Sequence, residues 1–159
     1  MEAAGLSALK KELKELPAAK LAELCLVIAK YKKDNKELLG YLLFEAHDKP
    51  GFVAKVKTEI DGYFAELRGQ TNLYHAKKSL RKILRQITKY CRYLADKAQA
   101  AELHIYFCKK LKASGIPYKR STLIVNLYEQ QLKKINTLIS ALHEDLQNDY
   151  LNELEFISS

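Results

Sequence analysis

Residues 72–95 read NLYHAKKSLRKILRQITKYCRYLA, and their apolar and basic side chains recur at the spacing of an α-helix. Successive residues of an α-helix are rotated by about 100° around its axis. One side of this helix is therefore apolar, and it carries Leu73, Leu80, Ile83, Leu84, Ile87, Cys91 and Leu94. The opposite side carries seven cations, which we call the cationic face: Lys77, Lys78, Arg81, Lys82, Arg85, Lys89 and Arg92. The pattern predicts an amphipathic helix that packs through its apolar side and turns its cations outward.

The charge of this helix is of a single sign. No acidic residue lies between Glu66 and Asp96, where there are eight basic residues, as many as the net charge of +8 of the whole chain. The ordinary interpretation of such a run is a helix face that is exposed to solvent. However, a solvent-exposed helix usually mixes acidic and basic residues, because two like charges four residues apart destabilise the helix by a few tenths of a kcal/mol. The cationic face therefore indicates an acidic partner as the alternative to simple solvation.

A possible partner lies within the chain itself. Residues 67–134 hold sixteen basic and three acidic residues, whereas residues 135–159 hold five acidic residues and no basic one. Complementary patches tend to meet, so the acidic C-terminus could dock on the cationic face within one molecule or between two. An acidic surface of another protein could occupy the same face.

Length and composition predict one helical domain over residues 1–159, with residues 1–6 and 156–159 frayed. The chain has few glycines and prolines, and nearly half of its residues are apolar. We expect an all-α fold of six to seven helices in antiparallel hairpins, either a helical bundle or a short superhelical array like HEAT and TPR repeats.

Several residues predict where helices begin and end. Expected N-caps or helix starts are Ser7, Pro17, Asp34 or Asn35, the break Asp48-Lys49-Pro50-Gly51, Asn72, Asp96, and Ser121 or Thr122. Gly115 and Pro117 are expected to stop the helix that precedes them. The third helix is apolar around much of its circumference, so we expect it at the centre of the core. A single last helix is predicted to run from about residue 121 through Leu146.

The three cysteines, Cys25, Cys91 and Cys108, are far apart and odd in number, which favours reduced thiols over a disulfide framework. No targeting segment is visible, and we expect a cytoplasmic protein that stays off membranes. The four histidines lack the spacing of a metal site, and no phosphate-binding loop or nucleophile motif is present. The sequence thus predicts a non-enzymatic protein without cofactors.

Three phrases resemble an uncharacterised family of small all-helical bacterial proteins, a domain of unknown function. They are Leu80-Arg81-Lys82-Ile83-Leu84-Arg85, Leu111-Lys112-Ala113-Ser114-Gly115-Ile116-Pro117, and Asn126-Leu127-Tyr128-Glu129-Gln130-Gln131-Leu132-Lys133-Lys134-Ile135. The resemblance covers most of the chain. It implies a bacterial, cytosolic, helical protein and no site.

Two functions are therefore predicted. The first is an interaction or scaffold domain whose cationic face docks an acidic protein surface or the acidic C-terminus of the chain. The alternative is nucleic-acid binding, in which the cationic face, helped by Lys119 and Arg120, neutralises phosphates. In that case Tyr90, Tyr93 and Tyr118 could stack on bases, although tyrosine rings more commonly sit at the edge of a core.

Overall fold

The computed structural model describes residues 1–159 and is entirely helical. The helices are α1 Leu6–Glu15, α2 Ala18–Tyr31, α3 Lys33–Phe44, α4 Lys49–Glu66, α5 Leu73–Leu94, α6 Lys97–Ala113, α7 Thr122–Ser140 and α8 Glu144–Ser158, with a 3₁₀ turn at Tyr118–Arg120. The all-α prediction is confirmed. The predicted count of six to seven helices is wrong, since there are eight α-helices. Contacts within the chain divide it into two compact units, Met1–Glu45 and Ala46–Ser159.

In the first unit, α2 packs against α3. The predicted caps here are partly wrong. Helix α1 begins after Gly5 rather than at Ser7, and α3 begins after the extended residue Lys32. Asp34 instead lies in the first turn of α3, where its charge favours the positive end of the helix dipole. Pro17 does precede α2, as predicted.

Helix α3 is not central in the core, contrary to the prediction. Tyr41 is its one buried residue, while Leu42, Leu43 and Phe44 are 56%, 63% and 71% exposed. An apolar circumference predicts burial only where neighbouring elements exist to cover it. Within the first unit, which has just three helices, α2 packs against α3 and leaves these three side chains exposed.

In the second unit, α6 is the central helix of a bundle, and α4, α5, α7 and α8 all pack against it. Eight of the seventeen residues of α6 are buried, and Leu103, Phe107, Cys108 and Leu111 have no exposed area. A helix that is apolar on most sides requires neighbours on most sides. The helical bundle is thus confirmed, and the superhelical array is not.

Capping side chains fix the helices of this bundle. The Asp48 carboxylate accepts a hydrogen bond from the amide of Gly51 at 3.0 Å, and Asn72, Asp96 and Ser121 cap α5, α6 and α7 in the same way. Each satisfies an amide that the first helical turn leaves free. These four predicted starts are confirmed to within one or two residues.

The predicted last helix is two helices, because the chain breaks at residues 141–143. His143 is extended, with φ −61° and ψ 146°, and its ring accepts a hydrogen bond from the amide of Asp145. Glu144 and Asp145 then occupy the first turn of α8, where acidic residues are favoured. Helix α8 continues to Ser158, and Ile157, within the end predicted to fray, is buried.

Candidate cationic interface

Helix α5 is held in the bundle by its apolar side. Ala76, Leu80, Ile83, Leu84, Ile87 and Leu94 are buried, and the helix packs against α4 and α6. Asn72 accepts hydrogen bonds from the amides of Tyr74 and His75 at 3.0 and 3.3 Å. At the other end Ala95 adopts φ +48°, which turns the chain directly into α6. Because both ends and one side are fixed, the opposite side faces outward.

The structure brings all seven residues of the cationic face together on that outward side. Lys78, Arg81, Lys82, Arg85 and Arg92 are exposed, and Lys77 and Lys89 are half-buried.

Three of these lysines lie beside tyrosine rings. The Nζ atom of Lys77 is 5.8 Å from the ring centre of Tyr74, and that of Lys82 is 5.3 Å from the ring centre of Tyr63. Lys89 lies 5.3 Å from the ring of Tyr90. Contacts of this kind between a cation and a π-system contribute about 0.5–1 kcal/mol at exposed sites. They orient the lysines without neutralising their charge.

Four cations of the face have no carboxylate partner. None of the ion pairs of the chain involves Lys78, Arg81, Arg85 or Arg92. Elsewhere in the bundle some lysines do have carboxylate partners, since Lys57 of α4 pairs with Glu102 of α6 and Lys109 of α6 pairs with Glu153 of α8. The fold thus pairs lysines where α6 contacts α4 and α8, whereas these four cations of α5 form no such ion pair.

The best-defined of the paired sites lies between α4 and α6. Lys110 Nζ is 2.6 Å from Asp61, whose two carboxylate oxygens also accept from the Tyr106 hydroxyl at 2.7 and 2.9 Å. Burial acts to raise the pKa of Asp61, but the hydrogen bonds from Lys110 and Tyr106 outweigh it and lower that pKa. Asp61 is therefore an ionised carboxylate. Helix α5 itself contains no acidic residue.

The acidic C-terminal helix lies against α6 and α7. Glu153 is 3.1 Å from Lys109, and the Lys112 ammonium donates to the carbonyl of Phe156 at 2.9 Å. The Tyr128 hydroxyl of α7 donates to the carbonyl of Ile157 at 2.7 Å, and the side chain of Ile157 is buried. The basic residues that hold α8 in the chain thus belong to α6.

Lys119 and Arg120 do not belong to the α5 surface. They are exposed on the 3₁₀ turn, which packs against α7. The structure therefore brings seven of the nine predicted site residues onto one helix and places the other two on a different element.

The tyrosines predicted as possible base-stacking residues are engaged within the bundle. The Tyr90 hydroxyl donates to Glu59 at 3.0 Å, and the ring of Tyr90 contacts those of Phe52 and Tyr93. Tyr118 is stacked on Tyr128, with ring centres 5.5 Å apart. Beside the cationic face, the exposed tyrosine is Tyr74, which is 67% exposed. Tyr74 is not among the tyrosines predicted to contact bases, although the sequence places it one turn before Lys77.

A cavity of about 460 Å³ lies at the C-terminal end of the cationic face, between α5, α6 and α7. Arg92, Lys134, Cys91 and His104 are among its lining residues. Burial raises the pKa of the Cys91 thiol to about 11, with the charge of Lys134 opposing the rise in part. Because the thiolate is the nucleophilic form of cysteine, this thiol is unreactive at neutral pH.

No three His, Cys, Asp or Glu side chains are grouped in a way that could hold a metal ion. None of the helices is both long enough and apolar enough to cross a membrane. The chain matches no protein-family model, no curated protein and no solved structure. The resemblance to a helical bacterial family stays a prediction.

Proposed function

We propose that the chain is a non-catalytic interaction domain whose cationic face docks an acidic surface of another protein. The observation that carries this proposal is the absence of carboxylate partners for Lys78, Arg81 and Arg85, which lie together on one exposed helix face, in a bundle where Lys57, Lys109 and Lys110 each have such a partner. Free thiols at all three cysteines support action in the reducing cytoplasm.

An acidic partner would relieve a cost within α5. Four pairs of like charges lie four residues apart on this helix, beginning at Lys77, Lys78, Arg81 and Arg85. At a few tenths of a kcal/mol each, these repulsions together oppose the helix by about 1 kcal/mol. Carboxylates brought by a partner convert the repulsions into attractions.

The dimensions of the face suit a protein surface. From Lys77 to Arg92 the helix is roughly 22 Å long, at 1.5 Å per residue. That length fits within a standard interface of about 800 Å² per partner. The cations would serve mainly to attract and orient the partner, as charges at interfaces commonly do.

The acidic C-terminus of the same molecule is the weaker candidate for this role. Its helix is held on α6 and α7 by the Lys109–Glu153 ion pair and by the hydrogen bond from Tyr128 to Ile157. Docking α8 on α5 would require both contacts to break and Ile157 to leave the core. We therefore place the acidic surface on another protein.

Nucleic acid is the second candidate, and the exposure of Tyr74 favours it. This ring is 67% exposed and begins the face beside Lys77. An aromatic ring next to cations can stack on an unpaired base while the cations contact phosphates.

Fluorescence anisotropy with two labelled probes tests the proposal. The probes are a polyglutamate peptide and a single-stranded oligonucleotide of similar charge, each titrated at low and near-physiological salt. The variant is Arg81→Glu/Arg85→Glu. The matched control is Lys10→Glu/Lys11→Glu, which makes the same charge change at exposed positions on α1.

We expect the peptide to bind the unaltered protein and the control. If each reversed charge costs about 1 kcal/mol, as for an exposed ion pair, the variant binds roughly thirtyfold more weakly. Binding of the oligonucleotide alone would replace the first function with the second. Binding of neither probe, or equal weakening in both variants, would contradict the proposal.

A further inference from the structure

The first unit exposes an apolar stripe along α2. Leu24, Val27, Ile28 and Tyr31 follow one another at the i, i+3, i+4, i+7 spacing of a single helix face. They are 39%, 64%, 58% and 78% exposed. In a well-covered helix such a stripe would be buried.

The stripe continues into a groove between α2 and α3. The groove has a volume of about 160 Å³, and Cys25, Ile28, Leu38 and Leu42 are among its lining residues. Leu38 is 37% exposed and Leu42 is 56% exposed. Since Ile28 belongs to both the stripe and the groove, the two form one surface. We call it the hairpin face, made of Leu24, Val27, Ile28, Tyr31, Leu38 and Leu42.

The unit has little core of its own. Among residues 1–45, only Ala29 and Tyr41 are buried. Helices of this length are marginal in isolation and depend on packing of their apolar sides. A contiguous exposed apolar surface of this size on a protein marks an interaction site.

The area of the hairpin face matches what a stable dimer needs. With roughly 180 Å² for each fully exposed side chain, the six residues present about 600 Å² of apolar surface. A standard interface buries about 800 Å² per partner, of which up to about 65% is apolar. The face therefore suffices for one side of such an interface.

The charges of the unit permit association with an identical unit. Residues 1–45 hold eight basic and seven acidic residues, whereas residues 46–159 hold nineteen and twelve. Next to the face, Lys20 pairs with Glu23 at 2.7 Å and Lys33 with Glu37 at 3.6 Å. Two of the lysines beside the face are thus neutralised within the hairpin, and the unit as a whole has a net charge of only +1, from eight basic and seven acidic residues.

We propose that the hairpin face binds the hairpin face of a second copy of the chain. Two helical hairpins joined through a two-fold axis form a four-helix arrangement, in which each copy presents the same residues to the other. The association buries the stripe and closes the groove. It also gives each assembly two cationic faces, so that a partner with repeated acidic surfaces is bound with avidity.

Sedimentation equilibrium of the full chain over a wide concentration range tests this proposal. The variant Leu24→Glu/Ile28→Glu places two charges in the hairpin face. The matched control, Leu26→Glu/Leu43→Glu, makes the same change at two exposed leucines outside it, 55% and 63% exposed. Circular dichroism checks that each variant keeps its helix content.

We expect twice the monomer mass for the unaltered protein and the control, and the monomer mass for the variant. A monomer at every concentration, or a dimer unaffected by Leu24→Glu/Ile28→Glu, would overturn the proposal.

A second measurement needs no variant and decides the matter if the variant fails to fold. The Cys25 thiol is exposed in the groove, whereas Cys108 is buried. The rate at which a maleimide labels Cys25, followed by mass spectrometry of its peptide, should fall several-fold as protein concentration rises. A labelling rate independent of concentration would count against the dimer.

Discussion

His104 makes the stability of the bundle depend on pH. Its side chain is 1% exposed, and its Nδ1 atom is 2.9 Å from Oε1 of Gln131. Burial and the nearby charge of Lys134 lower the pKa of His104 from 6.5 to about 4, although the hydrogen bond to Gln131 opposes this. The folded protein therefore holds this ring neutral at pH values where the unfolded chain protonates it.

The pH dependence of stability follows from the difference in proton binding between the unfolded and the folded state. Between pH 6.5 and about 4 the unfolded state binds more protons at this position, so the free energy of unfolding decreases as the pH falls. Each pH unit in that window lowers the free energy of unfolding by about 1.4 kcal/mol, and the total loss reaches about 2.5 kcal/mol by pH 4.5.

Urea denaturation at about pH 7.5 and pH 4.5 measures this difference. His104→Leu removes the titrating ring, and the fixed cost of leaving Gln131 without its partner cancels in the comparison between the two pH values. We expect acidification to lower the free energy of unfolding of this variant by about 2.5 kcal/mol less than that of the unaltered protein. His47→Leu, at an exposed position, serves as the control and should keep the original dependence. The same loss in His104→Leu as in the unaltered protein would show that His104 does not cause the pH dependence.

Two further substitutions test contacts that position the site. Asn72→Ala removes the cap of α5 and should lower the free energy of unfolding by about 1 kcal/mol in denaturant titrations. Ser7→Ala should have no effect, because α1 begins after Gly5; an equal loss in both variants would contradict the assigned caps. Tyr128→Phe removes the hydrogen bond to Ile157 and should speed amide hydrogen exchange at the end of α8. Unchanged exchange there would show that the bond does not hold this helix.

The sequence predicts α5 well because all the required signals are local. Asn72 caps its start, Asp96 begins the next helix, and the apolar and cationic sides separate at helical spacing. The outward placement of Arg81 and Arg85 follows from that spacing alone. These features needed no knowledge of the neighbouring helices.

Other features depend on contacts between distant residues and could not be read from the sequence. The apolar residues of α3 predict burial, but their pattern does not say whether any helix covers them. Likewise, the pairing of Lys109 with Glu153 and the lack of a partner for Arg81 depend on how α6, α8 and α5 pack. The break before α8 had only a weak local signal, the adjacent acids Glu144 and Asp145.

Nuclear magnetic resonance of the arginine side chains shows directly whether the cationic face docks an acidic partner. Guanidinium Nε–H signals report contacts of Arg81, Arg85 and Arg92 individually, while the polyglutamate peptide is added to labelled protein. We predict saturable shifts at these three arginines, reversed by salt, with no shift at Arg120 on the 3₁₀ turn. Shifts centred on Arg120, or none at any arginine, would contradict a docking role for the cationic face.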